Sequence, residues 1–171
     1  TLKIITDFCK YPRTWVSPTA EPGRLMLEVN TASSGINLQR FKDTMLKDMP
    51  YEHLNEDAAQ RGLPERNLPG MYAVFLTGMH LDQDLLTGGF VMSNPISVDT
   101  KPEDYFHALT LNIGMSISMC IEKMKTLQPL EHDYLIGCGG GFSSPVGGQT
   151  VADLTGLKVR IFDNWREATV Y

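Results

Sequence analysis

The sequence predicts an α/β fold built in layers, and two observations carry that expectation. Strand-like segments open the chain, helical segments follow, and the second half runs β–α–β–α–β. The run from Leu130 to Phe162 holds a strand, a glycine turn, a helix and a second strand. That order makes one βαβ unit, right-handed by the general rule for parallel strands. The chain has 171 residues, 42% apolar and 20% charged, and is long enough to bury a core of its own.

Each element has a local reason. Residues 2–6 and 24–29 read as strands, because Leu25, Leu27 and Val29 alternate as a half-buried sheet requires. Pro12, Pro18, Pro22 and Gly23 make the segment between them turn-rich, so an antiparallel meander is expected to open the domain. A small-residue turn, Thr31 to Gly35, leads into a helix marked by Ile36, Leu38, Phe41, Met45 and Leu46. Pro50 leads a second helix from Tyr51 to Gln60, and residues 61–70, with Pro64 and Pro69, read as loop. Met71 to Leu76 is an apolar strand, Thr77 to Gly89 is irregular, and Phe90 to Met92 is a second strand.

Asp99 or Thr100 is expected to cap the next helix, with Pro102 in its first turn and Glu103 and Asp104 at the positive end of its dipole. It runs to Thr126 and is apolar on more than one face, which predicts burial between a sheet and another layer. Met115, Met119 and Met124 are expected to fill core space. The last helix, Pro145 to Leu154, is stopped by Gly156, and Lys158 to Phe162 forms the final strand.

The net charge of −5 weighs against nucleic acid or an anionic membrane as the main partner. It leaves phosphate ligands open, because backbone N–H groups and helix N-termini bind them in acidic proteins. Cys9, Cys120 and Cys138 are odd in number and widely spaced, as expected of reduced thiols in a cytoplasmic protein. His53, His80, His107 and His132 are scattered, and no metal site is expected. Asp82 and Asp84 read as residues of a solvated loop. No apolar stretch approaches the length of a membrane span, and no signal peptide is visible. The sequence begins at Thr1, so the chain is expected to be part of a longer one.

The most informative segment is the strand–glycine–helix junction, where a buried strand ends in Gly139-Gly140-Gly141 and Ser143 or Ser144 caps a helix beginning at Pro145. Glycines let the backbone approach a ligand closely, and a helix start points N–H groups at the same space. A triple glycine also serves simply as a tight turn. The segment is neither a P-loop, since no Gly-Lys-Ser/Thr follows, nor a GxGxxG dinucleotide fingerprint.

Gly139-Gly-Gly-Phe-Ser-Ser-Pro145, with Gln149, Ala152-Asp153, Gly156 and Val159, resembles the adenosine motif of the FGGY sugar kinases. The resemblance implies an actin-like ATPase (ribonuclease H-like) domain, a mixed sheet flanked by helices, present here as the C-terminal lobe only. It implies ATP as cofactor, with Mg²⁺ arriving on the ATP, and a sugar or polyol as phosphoryl acceptor. Gly139, Gly140, Gly141 and Ser144 would then lie against adenosine, and Asp153 would support the helix. The segment Asn30 to Phe41 resembles a second nucleotide contact, in which Gly35 and Gln39, one helical turn apart, face the same ligand. The family's catalytic Asp belongs to the N-terminal lobe, so no catalytic residue is expected in this chain, and a homodimer is expected from family habit. The sequence departs from the family at Thr77-Gly-Met-His-Leu81, where Gly-Glu-Arg-x-Pro is usual. It departs again at Met92, where glycine is usual, and at Leu111 or Asn112, where an acid is usual. These departures leave open a second function, a regulatory module of the same fold without kinase activity.

Overall fold

The computed structural model describes residues 1–31, 34–62, 71–74, 87–142 and 145–161. The opening sheet has three strands, β1 (Leu2–Ile5), β2 (Thr14–Pro18) and β3 (Leu25–Val29). Its order is β1-β3-β2, with Ile5 opposite Leu25 and Thr14 opposite Val29, both pairs antiparallel. The expected meander is therefore corrected. β3 lies in the middle, and β2 arises inside the segment expected to be turns. Thr14, Trp15 and Val16 favour extended backbone, and β2 is an edge strand, where a terminal Pro18 removes no ladder bond. One face of this sheet carries the buried Ile5, Leu27 and Val29, while Leu2, Ile4 and Trp15 on the other face are exposed.

Two helices follow, α1 (Ser34–Met45) and α2 (Tyr51–Arg61). α2 ends at Gly62, whose φ of 61° lets its N–H donate to the Ala58 carbonyl. The strands β4 (Met71–Val74) and β5 (Gly89–Met92) pair antiparallel, Met71 opposite Met92. Residues 75 and 76 of the expected strand, and the irregular segment as far as residue 86, lie outside the described residues.

The helix α3 (Pro102–Leu127) has 26 residues and is buried along several faces. Its cap is Lys101 rather than Asp99 or Thr100. The Asp104 carboxylate accepts the Lys101 N–H at 2.7 Å, while the Thr100 hydroxyl donates to the Ser97 carbonyl. Of the three methionines expected to fill the core, only Met124 does so, at 2% exposure. Met115 and Met119 are 38% and 42% exposed, on the side of α3 that faces away from its partners. Leu111 is buried, and the buried Oδ1 of neighbouring Asn112 has no hydrogen-bond partner among the described residues.

The chain ends its described part in β6 (Tyr134–Gly137), a single 3₁₀ turn at Gly140–Phe142, α4 (Pro145–Thr155) and β7 (Lys158–Ile161). β6 and β7 pair in parallel, Leu135 opposite Val159, which makes the expected βαβ unit. Gly156, at φ 68°, stops α4 by donating its N–H to the Ala152 carbonyl. Antiparallel and parallel pairing therefore both occur, divided among three sheets of described residues. No helix among the described residues is long and apolar enough to cross a membrane.

α3 is the element the others dock on. Ala108 and Leu109 pack with Met71 and Ala73 of β4 and with Leu38 and Phe41 of α1. Phe106 packs with Leu54 of α2, and Cys120 and Met124 pack with Val29 of β3. His107 is buried, with Nε2 3.0 Å from the Gly62 carbonyl, and that burial pushes its pKa below the usual histidine value. Arg61 ion-pairs with Asp57 and Asp104 and so ties the end of α2 to the first turn of α3. α4 crosses α3 closely at Gly114, where a Cβ would lie 2.5 Å from Thr150 Cγ2 and 3.1 Å from Leu154 Cδ1.

Gly114→Ala is expected to destabilise the fold by about 1–3 kcal/mol through overpacking at this crossing, measured by urea unfolding. The Asp104 carboxyl supplies a pH dependence. Burial pushes its pKa up, but the Lys101 N–H and the Arg61 guanidinium outweigh that and hold it below the usual range. A lowered folded pKa means stability that is fully present above the ordinary aspartate range and is lost as pH falls through the folded value. Asp104→Asn should therefore flatten the acid limb of the thermal stability profile while costing about 0.5–1 kcal/mol at neutral pH, solvent screening included.

Candidate functional site

The glycine turn sits where β6 hands the chain to α4. Gly139 has a φ of 89°, a conformation that disfavours a side chain. The next three residues form the 3₁₀ turn, closed by the Phe142 N–H donating to the Gly139 carbonyl at 3.0 Å. A Cβ built at Gly139, Gly140 or Gly141 meets no atom of the described residues within 4 Å. Internal packing therefore does not demand glycine at Gly140 and Gly141. Ser143 and Ser144, expected to cap α4, lie outside the described residues.

α4 is seated against the turn by glycines of the opposite kind. A Cβ at Gly147 would fall on the Gly141 carbonyl oxygen. A Cβ at Gly148 would lie 3.2 Å from Ile161 Cδ1 and 3.8 Å from both Val159 Cγ1 and Phe142 Cδ1. Two adjacent glycines inside a helix cost about 1 kcal/mol each relative to alanine, so close packing is their physical reason. On the exposed face of α4 the Gln149 amide donates to the Asp153 carboxylate at 2.6 Å. That pair spans one helical turn and gives Asp153 a local role on the helix.

Gly35 and Gln39 lie on α1, both exposed and one turn apart, as their spacing requires. Elsewhere on α1, Leu38 and Phe41 pack against Ala108 and Leu109 of α3, with the Phe41 and Phe90 rings 5.3 Å apart. The glycine turn and the Gly35–Gln39 pair are carried on separate elements, and both elements dock on α3. α1 meets it at Leu109, and α4 meets it at Gly114 and Ser118. A shallow cleft of about 310 Å³ borders α1, lined by Arg40, Phe41, Met45 and Phe90, but neither Gly35 nor Gln39 lines it. Among the described residues no group of three His, Cys, Asp or Glu side chains could hold a metal ion.

Four residues of this junction escape sequence reasoning, namely Gly137, Phe142, Gly147 and Gly148. The paired glycines of α4 were the available signal, since a helix carries such a pair only for a packing reason.

An α/β domain with a strand–glycine–helix junction docked on one long helix is the class of protein that the fold defines. The chain belongs to the FGGY family of carbohydrate kinases, whose C-terminal domain model matches residues 54–171. A curated relative from Bacillus subtilis (strain 168), named "Putative sugar kinase YoaC", is 26% identical over 159 residues, covering 92% of this chain and 32% of the relative. The fold matches the xylulose kinase of Rhodospirillum rubrum with a TM-score of 0.69 at 15% identity, over 94% of this chain and 32% of that one. It also matches a xyloylose kinase of Brucella ovis, with a TM-score of 0.72 at 10% identity, over 95% and 33% of the two chains. The fold is thus the actin-like ATPase fold of the sugar kinases. The chain spans about a third of the length of these relatives.

Gly147→Ala tests the seating of α4 on the turn. Its methyl group meets main chain rather than a movable side chain. The variant is expected to lose about 1–3 kcal/mol of stability and to shift the amide resonances of Gly139 to Gly141 more than those of α2.

Proposed function

We propose that this chain is the nucleotide-holding lobe of an ATP-dependent kinase that transfers the γ-phosphoryl group to a sugar or polyol hydroxyl. The observation that carries this reading is the glycine turn. Among the described residues nothing packs on Gly140 and Gly141 in a way that demands glycine, and they stand beside the start of an 11-residue helix. Close approach of a ligand to the backbone supplies the reason that packing does not. Adenosine would lie against Gly139, Gly140, Gly141 and Ser144, with Gly35 and Gln39 of α1 as the second contact. Membership of the carbohydrate kinase family supports the same assignment.

Among the described residues this place has no carboxylate cluster, and the turn is built of glycine backbone. Such a turn fits phosphate and adenosine better than a bare cation, so Mg²⁺ would come bound to the phosphates of ATP. The ion supplies charge neutralisation at the phosphoryl group when present. The part of this chain is to fix the nucleotide and, on closure against a second lobe, to exclude water from the reacting group. Proton removal from the acceptor hydroxyl falls to a residue outside this chain, and so do the principal sugar contacts.

Titration of the labelled chain with ADP tests this. Amide shifts are expected at Gly35, Gln39, Gly139, Gly140, Gly141 and Ser144. Alkylation of the half-buried Cys138, next to the turn, should slow in the presence of ADP, while the half-buried Cys9 serves as the unaffected control. A coupled ADP-release assay with a pentose and polyol panel should show no turnover by the chain alone. Millimolar ADP that moves none of these amides and protects Cys138 no better than Cys9 would overturn the assignment and favour the regulatory module.

A further inference from the structure

The proposed nucleotide site leaves one question open, which is how three consecutive glycines hold a single conformation. A run such as Gly139-Gly140-Gly141 has little intrinsic preference and loses more backbone entropy on ordering than any other sequence. Within the stretch Gly139 to Phe142, only Phe142 has a side chain that can anchor the turn.

The ring of Phe142 folds back onto the end of β6. A Cβ at Gly137 would lie 2.8 Å from its Cδ1, 2.9 Å from its Cε1 and 3.1 Å from its Cγ. The ring also reaches α4, 3.8 Å from where a Cβ of Gly148 would stand. Its own backbone N–H closes the turn onto the Gly139 carbonyl. From the other side the Gly141 carbonyl rests against Gly147. The turn is therefore gripped between one aromatic wedge and the first turn of α4. Glycine at Gly137 is what gives the wedge its room, while the ring meets α4 at ordinary contact distance.

We propose that Phe142 is the positioning residue of the nucleotide site, wedged between Gly137 and Gly148 so that the Gly139–Gly141 backbone is held ready for adenosine. The proposal rests on the assignment of that turn to nucleotide. Holding the backbone in its bound shape before the ligand arrives removes an ordering cost that would otherwise be taken from the binding free energy.

The experiment is a cycle of Phe142→Ala, Phe142→Leu, Gly137→Ala and the double variant Gly137→Ala with Phe142→Ala. Each is read by amide hydrogen exchange and by ADP titration of the chain. Phe142→Ala should speed exchange of the residue-142 amide about tenfold and weaken ADP binding by about the same factor. The amide of Gly156, bonded to Ala152 at the far end of α4, should keep its wild-type exchange and so report an intact fold. Gly137→Ala should behave like Phe142→Ala, because its methyl group displaces the ring. The double variant should be no worse than Phe142→Ala alone, since the steric conflict is gone. Phe142→Leu should fall between wild type and alanine, and it decides the matter if the alanine variant does not fold.

Unchanged exchange at residue 142 in the truncated variants would overturn the wedge. So would strictly additive effects in the double variant. Faster exchange with unaltered ADP affinity would overturn the positioning role and leave Phe142 a packing residue. Failure of the wild-type chain to bind ADP would overturn the assignment of the turn to nucleotide, while the exchange cycle still decides whether Phe142 fixes the turn.

Discussion

The placement of α4 depends on side chains of one element reaching the glycine backbone of another with no Cβ between them. The helix is pressed between α3 and β7, with glycine at each contact. At Gly114 the crossing admits Thr150 and Leu154, and at Gly148 it admits Ile161 and Val159. Both contacts fix α4 in two directions, and the start of α4 defines one wall of the glycine turn. The position of the candidate site is therefore set by packing several residues away from any ligand. Dispersion and burial at such close crossings are collectively large, although each atom pair contributes little.

α3 provides the other half of that frame. Its buried side chains Phe106, Leu109, Ile121 and Met124 each contribute on the order of 1.5–3 kcal/mol of burial. One helix thus collects apolar surfaces from two of the sheets, through β3 and β4, and from three helices. The ion pairs of Arg61 with Asp57 and Asp104 add orientation more than energy, since all three side chains remain partly in water. Fixing the end of α2 on α3 also brings the buried His107 onto the Gly62 carbonyl, which satisfies a polar group that burial would otherwise penalise.

The helices and the βαβ order were legible because their signals are local. Proline at the start, glycine past the end and apolar spacing between them mark α2 and α4 within a residue or so. β2 was not legible, because Pro12, Pro18 and Pro22 dominate its neighbourhood and an edge strand tolerates what a central strand does not. The cap of α3 was misread for a related reason. A carboxylate at Asp104 reaches back to the Lys101 N–H, and the capping chemistry sits three residues after the cap rather than on it. Met115 and Met119 looked like core because their type is apolar, but exposure depends on which faces of α3 find partners. In the site, the glycine turn and the Gly35–Gln39 spacing could be read directly. Ser144 and the Thr77–Leu81 departure lie outside the described residues. The contact of Phe142 with Gly137 could not be read, because it exists only once the strand end and the turn are folded back on one another.

The three small sheets have a consequence for how the domain comes apart. Two of them have only two strands, and a two-stranded sheet is marginal in water without something to pack on. β4 docks on α3 directly, and β7 docks on α4, which α3 holds in place. Neither ladder can outlast the helix that shelters it, so loss of α3 removes the support of all of them together. Unfolding should then be a single cooperative transition across the described residues, with no separately melting hairpin left behind.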